Sequence, residues 1–171
     1  MRLEGTRLDR GWIAAHIAHQ DRMCLLDQVL SWDPQQLLCR AGNHRAADHP
    51  LRAHGRLGSA CAIEYAAQAV AVHGALLQPL PDPGGLAAPG GPTAGLRILA
   101  SARAVELTVG RLDDIGGDLL ISACRLHANE RSALYSFELH EAAATGLQRR
   151  LAQGRLSLWL DTPAARGRSN R

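Results

Sequence analysis

Residues 49–68 hold the densest set of groups able to move protons. His49-Pro50-Leu51-Arg52-Ala53-His54 places two imidazoles in a polar loop, and Glu64 and Gln68 follow one helical turn apart in an Ala-rich apolar stretch. Imidazole titrates near neutrality and so can take a proton at physiological pH. A carboxylate among apolar neighbours loses solvation, which raises its pKa, while the start of a helix favours its anion. Glu64 is the only acid between Ala60 and Leu77. Two groups of unequal basicity beside one another would suit general acid–base work on a substrate. The plain structural alternatives are a solvated acid on an exposed helix stripe with Gln68 at i+4, and a surface-loop histidine without a role.

The elements that must position these groups follow from apolar periodicity. Residues 8–19 space Trp12, Ile13 and Ile17 for one helical face, residues 23–30 form a compact apolar run, Asp33-Pro34 supplies a turn and residues 37–41 read as the return strand. Residues 42–58 are polar and irregular, and include His44. Ser59 offers an N-cap to a helix running to Leu77, apolar almost all round and therefore expected at the centre of the fold. Residues 78–95 form a Pro/Gly-rich loop. Strand character returns at 97–109, 118–127, 132–140 and 155–160. In the third of these, Ala133, Tyr135, Phe137 and Leu139 alternate with polar residues. Residues 142–153 read as a longer, partly helical connection, and the tail 162–171 is expected to fray. The order predicts an α+β class with an antiparallel sheet wrapped around one long helix, in a single domain over residues 1–161.

Composition narrows the function. The chain has 171 residues, 46% hydrophobic and 20% charged, with a net charge of +3, which fits one globular domain. The apolar run 60–77 carries Glu64, Gln68 and His73, so it reads as a buried helix and not a membrane span. The first ten residues, with three arginines, two acids and no apolar run after them, predict no secretory signal and a cytoplasmic location. All 19 cationic residues are arginine, dispersed among only 4% aromatics, which argues against nucleic-acid binding. Cys24, Cys39, Cys61 and Cys124 form no C-x-x-C pair and read as small buried hydrophobes. His44, His49 and His54 recur every five residues, yet only Asp48 stands near them as a further ligand, so no metal site is expected.

Three segments carry a family resemblance. Ala18-His19-Gln20-Asp21-Arg22-Met23-Cys24-Leu25-Leu26-Asp27-Gln28-Val29 is similar to an opening "PHRxPxLLxDxV" pattern. His49-Pro50-Leu51 matches the loop before the helix, and Ile63-Glu64-Tyr65-Ala66-Ala67-Gln68-Ala69 resembles "IEYMAQA". Together they resemble the hotdog-fold 3-hydroxyacyl-[acyl-carrier-protein] dehydratases, in the ApeP-like branch associated with aryl polyene biosynthesis, over nearly the whole chain. The resemblance implies a hotdog fold and a homodimer or hotdog heterodimer, with a histidine of one subunit facing an acid on the other's helix. It also implies an acyl thioester carried on the phosphopantetheine of an acyl carrier protein, or on CoA, and no cofactor.

By that resemblance His49 is the base for the C2 proton, Glu64 assists the departing hydroxyl, and Gln68 orients the carboxylate. Backbone N–H groups of Gly58, Ser59 and Ala60 would receive the enolate oxygen. The generic "HFPG" is altered here, with one residue more between histidine and acid and with His54 added as a second base, a substrate-loop residue or a bystander. His19 is expected to be structural, orienting the chain before a strand. Arg45, Arg52 and Arg56 would attract the phosphate or an acidic carrier protein. The alternatives are a hotdog acyl thioesterase, using the same acid to activate water, and a catalytically weak partner subunit of a hotdog heterodimer.

Overall fold

The computed structural model describes residues 8–78, 97–144 and 149–160. Seven strands form one sheet in the order β1-β2-β3-β5-β6-β7-β4, antiparallel throughout. They are β1 (Leu8–Asp9), β2 (Gln28–Trp32), β3 (Gln36–Ala41), β4 (Arg97–Leu107), β5 (Leu119–Ala128), β6 (Ser132–Glu141) and β7 (Arg149–Leu160). A short helix α1 (Arg10–His16) precedes β2, and the long helix α2 (Ala62–Leu76) packs across β3, β5 and β6. No helix among the described residues is long and apolar enough to cross a membrane.

Alanine has the highest helix propensity and the smallest side chain, so α2 forms readily and lies close to the sheet. Ala62, Ala66, Ala69 and Val72 are fully buried beneath it, with Tyr65 the largest buried side chain. Facing them, Ala133, Tyr135, Phe137 and Leu139 point inward along β6 as the alternation predicts. Each leucine or phenylalanine so buried contributes about 1.5–3 kcal/mol. Close approach also fixes Gly154: a Cβ there would stand 2.8 Å from Phe137 Cε1 and 3.1 Å from Val105 Cγ2.

Two turns use the same device. Asp33 Oδ1 accepts the N–H groups of Gln35 (2.7 Å) and Gln36 (3.0 Å) between β2 and β3. Asn129 Oδ1 accepts those of Arg131 (2.9 Å) and Ser132 (2.8 Å) between β5 and β6. A short side-chain oxygen reaching its own backbone two and three residues on is what favours Asp and Asn there.

Several elements differ from the sequence reading. The opening helix is only Arg10–His16, capped by Asp9, whose Oδ1 accepts the Trp12 N–H at 2.9 Å. The strand expected from Met23 begins at Gln28, because residues 21–23 form a 3-10 turn and residues 24–27 run irregularly into the core. Ser59 makes no cap hydrogen bond: a 3-10 turn at Ser59–Cys61 leads into α2. The expected partly helical connection instead becomes strand from Arg149, since Leu151 and Ala152 are buried and Ala152 pairs with Leu139. Cys124 is exposed on the outer face of β5, and Cys61 is half-buried; only Cys24 and Cys39 are core residues. The Pro/Gly loop beyond Gln78 and the C-terminal tail lie outside the described residues.

Candidate active site

Glu64 stands in the first turn of α2, where the helix dipole favours an anion. Its Oε1 receives two donors. His19 Nε2 lies 3.0 Å away, and Gln68 Nε2 donates to the same oxygen at 2.8 Å. The His19 hydrogen bond holds the Glu64 carboxyl below the usual carboxylate range, burial opposes it, and Gln68 adds to the lowering. The group is therefore ionised at neutral pH, and its side chain keeps 31% exposure.

Gln68 explains how this array is held. It is fully buried, its Oε1 accepts the Leu25 N–H at 2.8 Å, and its Nε2 donates to the Met23 carbonyl at 2.7 Å as well as to Glu64. These partners fix the amide's orientation. They also supply the bonds that the irregular segment after Met23 lacks from any strand. Arg10 bonds to Asp27 and to the Asp21 carbonyl, both at 3.1 Å, and Gln20 Nε2 bonds back to the Ala14 carbonyl at 2.7 Å, which fixes the chain on both sides of His19.

His49 occupies a separate network. It is 5% exposed; Nδ1 accepts the Leu51 N–H at 3.1 Å, and Nε2 lies 3.0 Å from Tyr65 Oη, which in turn donates to Asn43 Oδ1 at 2.7 Å. The Leu51 donor requires a lone pair on Nδ1, so Nε2 carries the proton toward Tyr65. Burial, then the nearby positive charge of Arg52 and of His44, pushes the His49 pKa down. Within one chain the structure brings His19, and not His49, to Glu64.

The other expected residues fall as follows. His54 is exposed at the tip of a two-residue turn closed by Ala53 and Arg56, with φ of 50° at His54 and 74° at Gly55. Both residues are left-handed, as a type I′ turn requires. Ser59 spends its N–H on the Gly110 carbonyl (3.2 Å), which removes it from the expected donors, whereas a Cβ on Gly58 would meet nothing within 4 Å. That space opens beside Gly58 and Ala60 at the start of the helix. Arg52 is tied to the buried carboxylate of Asp113 (3.1 Å), which also takes Arg111 (2.6 Å) and the Leu57 N–H (3.0 Å). Arg45 donates to the carbonyl oxygens of Gly116 (2.5 Å) and Gly117 (3.1 Å), so of the three arginines only Arg56 stays exposed without such a tie. Among the described residues no group of three or more His, Cys, Asp or Glu side chains could hold a metal ion.

Sequence reasoning missed His19 as the partner of Glu64, and Tyr65 and Asn43 as partners of His49. A signal for His19 was present, since it aligns with the histidine of the opening pattern. What sequence could not supply was the fold-back that carries it across to a residue 45 positions on.

Solved structures of similar fold support the architecture. A chain of the dehydratase heterocomplex ApeI:P from Xenorhabdus doucetiae is 22% identical with a TM-score of 0.68, covering 91% of this chain and 93% of that one. A thioesterase family protein from Silicibacter pomeroyi is 13% identical with a TM-score of 0.60, over 87% and 95%. AziG of S. sahachiroi is 19% identical with a TM-score of 0.53, over 81% and 91%. Identities this low speak for the fold alone, which is the hotdog. No curated protein matches the chain. The ApeP-like model, described as ApeP dehydratase, matches residues 12–165, and the chain belongs to that family.

Proposed function

We propose that the protein removes water from a 3-hydroxyacyl thioester, carried on the phosphopantetheine of an acyl carrier protein, to give the trans-2-enoyl thioester. The observation that carries this reading is the Glu64 carboxylate, ionised and about a third exposed, with His19 and Gln68 both donating to Oε1 and Oε2 outside that pair of bonds. When C2–H and C3–OH lie on one face of the substrate, a single carboxylate can serve both ends. Oε2 takes the C2 proton, the C–H electrons form the C2=C3 bond, the C3–O bond breaks, and the same proton leaves on the departing oxygen as water. In this reading the N–H groups of Gly58 and Ala60, at the positive end of the helix, would receive the thioester oxygen as charge develops on it. Carboxylate and backbone dipoles supply the proton transfer and charge stabilisation without a cofactor.

A pair of hotdog subunits completes the site in this reading. Strand β1 covers only Leu8–Asp9, whereas the opposite edge, β4, runs for 11 residues and leaves Leu99 and Leu107 about 40% exposed. A long apolar edge favours addition of another sheet. The second subunit is a further copy or a different hotdog chain.

The test is to give the purified protein a 3-hydroxyacyl carrier protein and follow the carrier's mass. Loss of one water, abolished in Glu64→Gln, supports the dehydratase. Release of the free acid would instead make it a thioesterase, the reading an ionised carboxylate beside open space also serves, with Oε2 activating water at the carbonyl. No reaction until a second hotdog subunit is added would make it the partner of a heterodimer.

A further inference from the structure

We infer that His19 is the imidazole of this site, a positioning residue that acts through Glu64 by holding Oε1 so that Oε2 alone meets the substrate. Its kinetic consequences rest on the dehydratase reading; its physical coupling to Glu64 does not.

Three observations converge on it. The first is donor geometry. A carboxylate only accepts, so His19 Nε2 at 3.0 Å must carry a proton, and Gln68 brings a second N–H to the same atom at 2.8 Å. Two donors on one oxygen polarise the carboxylate and leave its remaining oxygen the reactive one. The second is the far side of the ring, where Nδ1 is sealed from solvent and has no partner among the described residues. An orphaned buried nitrogen costs free energy, at His19 as at His44, whose Nδ1 is likewise unpartnered while its Nε2 is held at 3.0 Å from the Ile115 carbonyl. It persists where the opposite nitrogen must be held on a particular target. The third is that the competing imidazole is spent: both nitrogens of His49 are engaged, by the Leu51 N–H and Tyr65 Oη.

The electrostatic surroundings of Glu64 are simple. Two titratable groups act on it or respond to it among the described residues. One is His19, from the segment after α1, and the other is Cys61 at the start of its own helix, whose thiol is pushed up by burial and by the Glu64 charge. Removing His19 therefore removes the main influence favouring the carboxylate, and the Glu64 pKa must rise.

The experiment compares wild type with His19→Ala and His19→Gln, the glutamine amide returning an N–H to the place of Nε2. Carbon-13 carboxyl NMR of the resting protein titrates Glu64 directly, and kcat is followed against pH with the carrier-protein substrate. In His19→Ala the Glu64 titration moves upward, toward the free value. The acid limb of the rate profile follows it, and kcat falls about ten- to a hundredfold, as expected for one hydrogen bond to a charged group. His19→Gln recovers most of both, and thermal unfolding confirms that all three proteins are folded. A Glu64 titration identical in wild type and His19→Ala overturns the assignment, as does a His19→Ala enzyme with unchanged kcat and acid limb. A wild type that dehydrates nothing, but whose Glu64 titration still shifts with His19, sinks the dehydratase reading and leaves the coupling standing.

Discussion

Two imidazole networks flank the first turns of α2, and they are finished differently. In the His49–Tyr65–Asn43 chain both ring nitrogens and the tyrosine hydroxyl have partners and the histidine is almost wholly buried. In the His19–Glu64–Gln68 array, one carboxylate oxygen and one ring nitrogen are left over, and the side chains of His19 and Glu64 are about a third exposed. A closed network rigidifies and does nothing else; an open one has an atom available to react. The contrast distinguishes the two networks more sharply than residue type does, since both centre on a histidine.

The largest effect should come from the open side. Glu64→Gln keeps the shape and the neighbours of the side chain but cannot take a proton, and turnover should fall about 10²–10⁴-fold. Circular dichroism and the melting temperature should stay near the wild type; a comparable rate in the variant would erase the distinction between the networks.

Gln68→Ala comes next, because it breaks the array and its anchorage together. It strands the Leu25 N–H and the Met23 carbonyl in the core, each costing about 1–3 kcal/mol if no water replaces the amide. Denaturant unfolding should show the midpoint falling, with activity per folded molecule reduced as well.

On the closed side, Tyr65→Phe leaves His49 Nε2–H and Asn43 Oδ1 unpaired and should destabilise by about 1–3 kcal/mol. Turnover per folded molecule should be nearly preserved. A variant that is stable yet inactive would move the site's imidazole back to His49.

The two networks should also part in their pH dependence. His49, like His44, has a folded pKa below the free value of 6.5, chiefly through burial, so the unfolded chain binds those protons first. The stability they contribute is whole above about pH 6.5 and is lost as pH falls through their folded values. Glu64 is also lowered, from 4.5, so its contribution persists to more acid pH and is lost only as pH falls below that value. Urea unfolding at about pH 8 and pH 5.5 should show a loss in wild type that shrinks in His49→Gln and is unchanged in Glu64→Gln. The smallest effect belongs to the ion pair between the segment after His19 and the segment before His49, Arg22–Asp48 at 3.0 Å, with both side chains about 70% exposed. Asp48→Ala should cost less than about 1 kcal/mol by thermal melting.

The sequence made the central features legible where local chemistry and long periodicity agree. The Asp33-Pro34 turn, the alternation along β6 and the buried Ala-rich helix all follow from side chains acting on their neighbours. Glu64 and Gln68 were visible for the same reason, as polar residues in a helix that offers them no local use. What failed was non-local. Leu151 and Ala152 carry ordinary helix formers' identities, and only the position of β7 between β6 and β4 makes them strand. The His19 contact was hidden because its partner lies on an element 45 residues away, and nothing local to His49 disclosed its bond to Tyr65.

Gln68 takes the Leu25 amide proton on a side chain, where a strand would have offered a backbone carbonyl. The exchange of that single proton with solvent therefore reports on the His19–Glu64–Gln68 array itself. While Leu25 resists deuterium, the glutamine is in place and the carboxylate is aimed; once it exchanges, the N-terminal segment has lifted and the chemistry has gone with it. A spectrum of one backbone amide would thus read the fraction of competent enzyme without any substrate.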